Sequence, residues 1–289
     1  MKDRDKTAKR SQVQMVWKRF KKNKLAMAGL AILIILVIFA IYISIFGDYE
    51  EAITMHMEDK LLTPGPGHLL GTDHYGRDLL SRMMFGARIS LSIAIITMAM
   101  SLVFGSLLGA ISGYFGGAVD DVIMRIVDVF LAIPHTLLAI SIVAALGDGV
   151  SNLVIAMVIG QVPAFARIVR SAILTVKGMD YIEAARVCGT HNSRIILRHI
   201  LPNALGPIIV QATLNVARTI LNISSLSFVG LGISAPTPEW GSMLAEGKTL
   251  MRYYPHLILI PGAAIAITVI SINLIGDGLR DALDPRLKN

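Results

Sequence analysis

Residues 183–202 read EAARVCGTHNSRIILRHILP, a polar segment between strongly apolar stretches of a 289-residue chain. The segment begins with Glu-Ala-Ala, places Gly189 six positions after Glu183, and ends with Leu201 and Pro202. A charged segment of this length between apolar stretches needs a water-facing surface and a partner for it. The rest of the chain decides on which side of a membrane that surface lies.

The local pattern of this segment predicts a short helix, a turn and a second helix. Residues 180–187 contain strong helix formers, and Gly189 can adopt the left-handed conformation that ends a helix. Thr190 or Asn192 can cap the next helix, and we expect Pro202 to stop it. Glu183 then lies near the tip of a helix-turn-helix. On physics alone, an ordinary connector between two spans remains an equal alternative.

The composition is that of a polytopic membrane protein. Apolar residues make up 54% of the chain, charged residues only 16%, and the mean hydropathy is +0.64. Ordinary soluble domains carry about 25% charged residues, so a soluble enzyme is disfavoured. The only cysteine, Cys188, excludes a disulfide framework within the chain.

The net charge of +7 does not point to nucleic acid. Ten of the 27 basic residues crowd into positions 2–24, directly before the first apolar segment. This placement favours a cytoplasmic tail beside an anionic membrane leaflet. We therefore expect lipid, and no nucleic acid, as the partner of these charges.

Six apolar segments are predicted to span the membrane. They are residues 25–46, 89–111, 118–146, 152–173, 206–229 and 255–279. The first has no charged residue and is long enough to cross about 30 Å of hydrocarbon; it is too long for the core of a signal peptide. The predicted organisation is a basic tail (1–24), a first span (25–46), an outer loop (47–88), a five-helix core (89–279) with a cytoplasmic loop at 180–205, and a tail (280–289).

Basic residues predict the orientation of these spans. With the N-terminus inside, the inner segments 2–24, 167–205 and 277–289 hold nineteen Lys and Arg residues, and the outer segments 47–88 and 230–254 hold six. Because basic residues accumulate in cytoplasmic loops, both termini and the polar segment are predicted to be cytoplasmic.

Polar residues recur inside the fifth span at helical spacing. One stripe is predicted for Gln211, Asn215, Arg218, Asn222 and Ser225. Two interpretations stay open: hydrogen bonds between helices, or a wet translocation path, since Arg218 is costly near the middle of a span. Gln161, two residues before Pro163 in the fourth span, is a weaker candidate for the same path.

Three charged residues open the third span. Asp121, Arg125 and Asp128 have i, i+4 and i+7 spacing, so they are predicted to pair along one helix face. We favour a structural role for them in the bundle or in its contact with a partner.

Two motifs imitate nucleotide-binding loops and are rejected. EGKT at 246–249 lacks the earlier glycine of a P-loop, because Ser242 stands there, and GLGISA at 230–235 follows a membrane span. No nucleotide site is therefore expected, and an ATP-driven activity needs a separate ATPase.

No catalytic or metal site stands out either. Asp73, His74 and Asp78 lack a sharp ligand spacing, and a metal site there is not expected. No nucleophile–base set or paired-histidine zinc pattern is present, so an intramembrane enzyme has little support.

The polar segment resembles the EAA loop of ABC-importer permeases. The matching residues are Glu183, Ala184, Ala185, Gly189, Leu201 and Pro202. The resemblance implies that this loop is the coupling helix that docks on the ATPase subunit. The general pattern has isoleucine where this chain has His199, a departure that resembles the peptide branch of the family.

Four other stretches are similar to the second permease of dipeptide, oligopeptide and nickel importers. They are FKKNKLAMAGL (20–30), GTDHYGRDLLSRMMFGARISL (71–91), FVGLGISAPTPEWGSML (228–244) and GDGLRDALDPRL (276–287). With the EAA loop, the resemblance extends from about residue 20 to the C-terminus.

This resemblance implies an all-α integral membrane protein with six transmembrane helices and the type I ABC-importer fold, in a bacterial inner membrane. The implied partners are a homologous permease in a heterodimer, two ABC ATPase subunits that use ATP and magnesium, and an extracytoplasmic peptide-binding protein. The chain itself would bind no cofactor and no metal. The alternatives are a permease for nickel or another small substrate and an ion-coupled secondary transporter or channel, which would not need the EAA loop.

Overall fold

The computed structural model describes residues 12–283, and regular structure in this range is almost all helical. The α-helices are α1 (Gln12–Phe20), α2 (Lys24–Phe46), α3 (Tyr49–Ile53), α4 (Leu79–Phe115), α5 (Gly117–Leu131), α6 (His135–Leu146), α7 (Val150–Lys177), α8 (Asp180–Val187), α9 (Asn192–Arg194), α10 (Leu201–Val229), α11 (Trp240–Gly247) and α12 (His256–Leu283). Short 3-10 helices cover Met57–Asp59 and Lys248–Leu250. The outer parts of the predicted tails, 1–11 and 284–289, lie outside the described residues.

Five helical segments of this range are long and apolar enough to cross a membrane. They are Lys24–Phe46, Leu79–Phe115, Val150–Lys177, Asn192–Val229 and His256–Leu283. Each overlaps one predicted span. At 37 residues, α4 is about 55 Å long, so it extends well beyond about 30 Å of hydrocarbon.

The predicted third span consists of two helices. α5 and α6 meet at an angle of 84°, and together they would form the sixth crossing. Pro134 begins α6 with a backbone ψ of 127°, which is extended rather than helical. Because proline also disfavours helical backbone at the residue before it, the chain turns at this point.

A row of small residues brings α4 close to α7. Gly105, Gly109 and Gly113 recur every four residues of α4 and face α7. A Cβ added at Gly109 would lie 2.5 Å from the carbonyl oxygen of Ala166, and one at Gly105 would lie 2.4 Å from the Cβ of Phe165. The glycines thus let the two backbones approach each other, as small residues commonly do between membrane helices.

Helical structure continues through the end of the polar segment, so the prediction that Pro202 stops the second helix is wrong. The chain is helical from Asn192–Val229, with a π-helical turn at Ile195–Ile200. The N–H of Leu201 donates to the carbonyl of Ile196, five residues earlier. Since proline has no N–H to donate and its ring crowds the preceding turn, a wider turn accommodates it inside the helix.

Candidate coupling loop and translocation surface

The first half of the predicted coupling loop is α8, and it ends as the glycine predicts. Gly189 has a φ of +72°, in the left-handed region. Its N–H donates to the carbonyl of Arg186 at 2.9 Å, and the N–H of Thr190 donates to the carbonyl of Ala185 at 3.1 Å. This pair of bonds is a Schellman motif, which satisfies the last carbonyls of the helix and fixes the direction of the turn.

The predicted cap of the second helix is wrong. Neither Thr190 nor Asn192 occupies the cap position; His191 does, and its ring nitrogen accepts from the N–H of Ser193 at 3.4 Å. Asn192 is instead held by Tyr114, whose hydroxyl donates to its Oδ1 at 2.6 Å. A histidine ring is an uncommon cap, and this explains why the usual capping residues misled the prediction.

The loop is fixed to the ends of α4 and α7 by a small hydrophobic core. Ile182, Ile195 and Ile200 are fully buried there, against Tyr114 of α4 and Ile173 of α7. Because these contacts hold both halves of the loop, a force on the loop is transmitted to the two spans beneath it.

The opposite face of the loop is exposed and partly apolar. The side chain of Val187 is 88% exposed and that of Leu197 is 67% exposed, with exposed Tyr181 nearby in the chain. Glu183 and Ala184 are also exposed. On a water-facing segment, apolar side chains exposed to this degree indicate a contact with another protein.

The six residues predicted for coupling therefore divide between the two faces of the loop. Glu183, Ala184, Gly189 and Pro202 are exposed, whereas Ala185 and Leu201 are half-buried against the hydrophobic core of the loop. The structure brings all six into one helix-turn-helix unit. Their role in coupling stays a prediction.

The polar stripe of α10 extends from a buried position to the exposed side of the helix. Asn215 is buried, Gln211 and Asn222 are half-buried, and Arg218 is exposed. At about 100° per residue the order around the helix is Asn215, Asn222, Gln211 and Arg218, so burial decreases across the stripe. Arg218 lies on the open side of α10, where lipid would be a costly neighbour for its charge.

Gln161 lies inside the contact between α7 and α10. Its Nε2 donates to the Oγ1 of Thr219 at 2.9 Å, and that hydroxyl donates to the carbonyl of Asn215 at 2.7 Å. This chain of hydrogen bonds joins the two helices. In the described conformation, Gln161 thus bonds across the contact to Thr219, the bond to Asn215 stays within α10, and Arg218 faces outward.

The acidic residues of α5 pair with α7 instead of pairing along α5, so the predicted pairing of Asp121, Arg125 and Asp128 is wrong. Arg170 donates to both carboxylate oxygens of Asp120, at 2.6 and 2.5 Å. Arg167 donates to Asp128 at 2.5 Å. Arg125 forms no ion pair within residues 12–283. The close packing of the two helices offers these carboxylates better-placed partners than the neighbouring turn of α5 does.

A buried charge cluster, missed by the sequence analysis, joins the outer loop to α11. Arg77 and Arg82 are fully buried, and both donate to the Oδ2 of Asp73, at 2.7 and 2.8 Å. Both also donate to the Oε2 of Glu246, at 2.8 and 3.0 Å. Two cations and two anions thus neutralise one another out of water, which is the condition for burying charge.

This outer charge cluster (Asp73, Arg77, Arg82 and Glu246) gives the EGKT stretch a structural role. Burial raises the pKa of Glu246 above its ordinary value of 4.5, against the opposing effect of Arg77. The usable signal in the sequence was the alternation of acidic and basic residues at Asp73, Arg77, Asp78 and Arg82 in an outer segment. The second partner of Arg82 is 164 residues away, beyond any local pattern.

Asp78 of the rejected metal cluster is also occupied. Asp78 accepts from the N–H of Ser81 at 2.8 Å and so caps α4, and its other oxygen lies 2.9 Å from the Nδ1 of His68. Within residues 12–283, no three His, Cys, Asp or Glu side chains are arranged to hold a metal ion.

Comparison with known families gives two matches. Residues 105–289 match the family described as binding-protein-dependent transport system inner membrane component. Residues 11–64 match the N-terminal transmembrane domain of oligopeptide transport permease C. The two matches together cover most of the chain, and the first includes the whole coupling loop and the α10 stripe.

Individual relatives are similar over nearly their full length. The dipeptide transport system permease protein DppC of Alkalihalophilus pseudofirmus is 45% identical over 273 residues, which are 94% of this chain and 90% of the relative. The glutathione transport system permease protein GsiD of Pectobacterium atrosepticum is 41% identical, with 99% of this chain and 95% of the relative covered.

The fold is also found among solved structures. A chain of the inward-facing MetNI methionine ABC transporter superimposes with a TM-score of 0.59 at 19% identity, covering 70% of this chain and 96% of that chain. At this identity the likeness shows the fold alone. The predicted class, an all-α membrane protein with the type I importer fold, is confirmed.

Proposed function

The chain belongs to the family of binding-protein-dependent transport system inner membrane components, and we propose that it is the permease subunit of an ATP-driven importer of peptides. Relatives named for dipeptide and glutathione transport, at 45% and 41% identity, support a small-peptide cargo. The observation that carries the proposal is the helix-turn-helix at 180–202, which has a core on the spans and an exposed apolar face. A nickel or other small-molecule cargo is the competing outcome of the test below.

The proposed assembly contains a second, homologous permease, two ABC ATPase subunits and an extracytoplasmic peptide-binding protein, in the inner membrane of a bacterium. The family name itself supports dependence on a binding protein. ATP and magnesium are assigned to the ATPase subunits. This chain performs no bond chemistry in the proposal, and it binds no cofactor.

In the proposed mechanism, closure of the ATPase dimer moves the coupling loop as a rigid body. Two features support rigidity: the Schellman turn at Gly189 and the buried core around Ile182. The unbroken helix Asn192–Val229 then carries the movement into α10, and the short link at Gly178 carries it into α7. Alternate opening of the bundle to the two sides follows as a hinge-type change.

Arg218 and its neighbours on α10 are assigned to the translocation path. A charge inside a span is costly in lipid, and the exposed side of α10 is where a second permease or an aqueous path would lie. Peptides carry charged termini and many backbone polar groups, so a polar wall suits them. The half-buried Gln211 and Asn222 extend this wall along the helix, and Gln161 and Asn215 lie behind it.

The test combines uptake with copurification. Glu183→Lys reverses a charge on the exposed face of the loop, and Asp281→Lys reverses an exposed charge on α12, outside the loop. In cells with the whole transporter, we expect the first variant to lose uptake of labelled dipeptide and copurification of the ATPase, and the second to keep both. Normal uptake by Glu183→Lys would contradict the coupling role. Uptake of nickel in preference to dipeptide would contradict the proposed peptide substrate and leave the coupling role unaffected.

A further inference from the structure

The short helix α1 lies against the end of α12, directly before the first span. Phe20 is buried with Ala26 and Ala282 in one hydrophobic cluster. Gly278 makes room for this contact, because a Cβ there would lie 2.3 Å from the Cβ of Ala26 and 3.3 Å from Phe20. One face of α1 is thus fixed to the bundle.

Two large apolar side chains of α1 flank its buried face and are exposed to the surroundings. Trp17 is 45% exposed and Met15 is 46% exposed. The ring of Trp17 stacks on that of Phe20 at 5.8 Å, and the Nζ of Lys21 lies 5.0 Å from its centre. These two contacts fix the orientation of the Trp17 ring. Nearly half of this large apolar side chain is nevertheless exposed, which is unfavourable in water.

Basic side chains are clustered in α1 and in the turn that follows it. They are Lys18, Arg19, Lys21, Lys22 and Lys24, and all except the half-buried Arg19 are exposed. The acidic residues near this end of α12, Asp277 and Asp281, form no ion pair with them in the described range. The local charge therefore stays strongly positive.

The position of α1 along the chain fixes its height in the membrane. It ends at Phe20, and Asn23 caps α2 by accepting from the N–H of Ala26 at 3.1 Å. The three residues between the helices span at most about 10 Å. Trp17 and the basic side chains therefore lie where the first span leaves the hydrocarbon, at the level of the lipid head groups.

We propose that α1 and the following turn, residues 14–24, form a binding surface for anionic phospholipid head groups of the inner leaflet. Trp17 inserts into the boundary between head groups and acyl chains, and the basic side chains bind the phosphates. The combination of an aromatic anchor with clustered lysines is the pattern of interfacial helices. The lipid would hold α1 on α12, on the same side of the membrane as the coupling loop. This role does not depend on which substrate is transported.

Selective quenching of Trp17 tests this surface. The full-length chain is placed in nanodiscs with equal amounts of phosphatidylglycerol and phosphatidylcholine, and bromine is carried by the acyl chains of one lipid or of the other. The chain has two tryptophans, and Trp240 is only 1% exposed. Trp17→Phe therefore gives the background from Trp240, and subtraction gives the signal of Trp17.

We expect brominated phosphatidylglycerol to quench Trp17 about twofold more strongly than brominated phosphatidylcholine, since each basic residue near a surface attracts anionic lipid. The preference should disappear in 0.5 M salt and in the double variant Lys21→Gln, Lys22→Gln. It should persist in Lys60→Gln, Arg252→Gln, which removes two exposed charges from the outer side.

Two results would overturn the proposal. Equal quenching by both lipids would mean immersion in the membrane without a head-group preference. Quenching by neither lipid would mean that Trp17 does not reach the acyl chains and that α1 lies in water. Both results need only the unmodified chain and Trp17→Phe, so poor folding of the lysine variants does not decide the matter.

Discussion

The guanidinium of Arg77 donates a hydrogen bond to the carboxylate of Glu246 at 2.8 Å, across 169 residues of sequence. The bond ties the loop before α4 to α11, and Arg82 and Asp73 complete the arrangement. Both arginines are fully buried, so each depends on its two carboxylates for solvation. The outer loop is thus joined to α11 by charge in addition to the hydrophobic cluster that includes Leu79, Trp240 and Met243.

Removal of the Glu246 carboxyl should be costly, and replacement by an amide should be tolerated. Glu246→Ala leaves two buried guanidinium groups with Asp73 as the one carboxylate of the outer charge cluster, and we expect it to lower the free energy of unfolding by about 3–5 kcal/mol. Glu246→Gln keeps an acceptor oxygen, so a loss within about 2 kcal/mol is expected. Unfolding of the purified chain in mixed micelles measures both.

The exposed Glu58 of the same outer loop provides the control, since Glu58→Ala should change the unfolding free energy by less than about 0.5 kcal/mol. Equal losses in Glu246→Ala and Glu58→Ala would show that the outer charge cluster does not stabilise the fold.

The raised pKa of Glu246 predicts a pH dependence with a definite sign. A carboxyl with a raised folded pKa binds its proton more readily in the folded state. Its contribution to stability is therefore fully present below the unfolded value, about 4.5, and is lost as the pH rises through the folded pKa. We expect the wild type to gain stability relative to Glu246→Gln as the pH falls from about 7 to about 5. A difference between the two proteins that is constant with pH would contradict this.

The sequence predicted what depends on composition and local pattern. Hydropathy located the spans, and the glycine spacing located the turn at Gly189, because these features are properties of neighbouring residues. Sequence-based prediction failed where a side chain is paired with a residue from a distant segment. Asp128 pairs with Arg167 of another helix, and Pro202 is accommodated by a π-helical turn that proline propensity alone does not foresee.

The two ion pairs between α5 and α7 should differ in strength. Arg170 binds both oxygens of Asp120 and is less exposed, whereas Arg167 and Asp128 are each more than half exposed. We expect Arg170→Ala to lower the free energy of unfolding by about 1.5–3 kcal/mol and Arg167→Ala by about 1 kcal/mol or less. Each arginine is the matched control for the other, three positions apart on α7. A larger loss for Arg167→Ala would reverse the interpretation.

The close approach of α4 and α7 should not tolerate a methyl group at Gly109. A Cβ there would lie 2.5 Å from the carbonyl oxygen of Ala166 and 2.9 Å from the backbone nitrogen of Arg170, and backbone atoms cannot move aside cheaply. We expect Gly109→Ala to lower the unfolding free energy by about 1–3 kcal/mol. In Gly262→Ala the new methyl group has only one neighbour, at 3.8 Å, so no loss is expected. Equal stability of the two variants would rule out a tight contact.

Two substitutions at Gly189 distinguish backbone strain from contact with a partner. Gly189 is exposed, and nothing in the described residues lies within 4 Å of a Cβ at this position, so a larger side chain can extend toward what docks on the loop. Gly189→Ala should cost about 1–2 kcal/mol of strain from the positive φ, and Gly189→Trp should cost about the same within the chain.

In the assembled transporter, Gly189→Trp should abolish peptide-stimulated ATP hydrolysis, and Gly189→Ala should keep most of it. Gly206→Ala, in the helical part of α10 with equally open space, should behave as the wild type. Because the two Gly189 variants carry the same backbone strain, a difference between their ATPase activities reports the contact with the partner. Equal activity of the two Gly189 variants would mean that the tip of the loop touches no partner, and the coupling surface would then have to lie elsewhere on the chain.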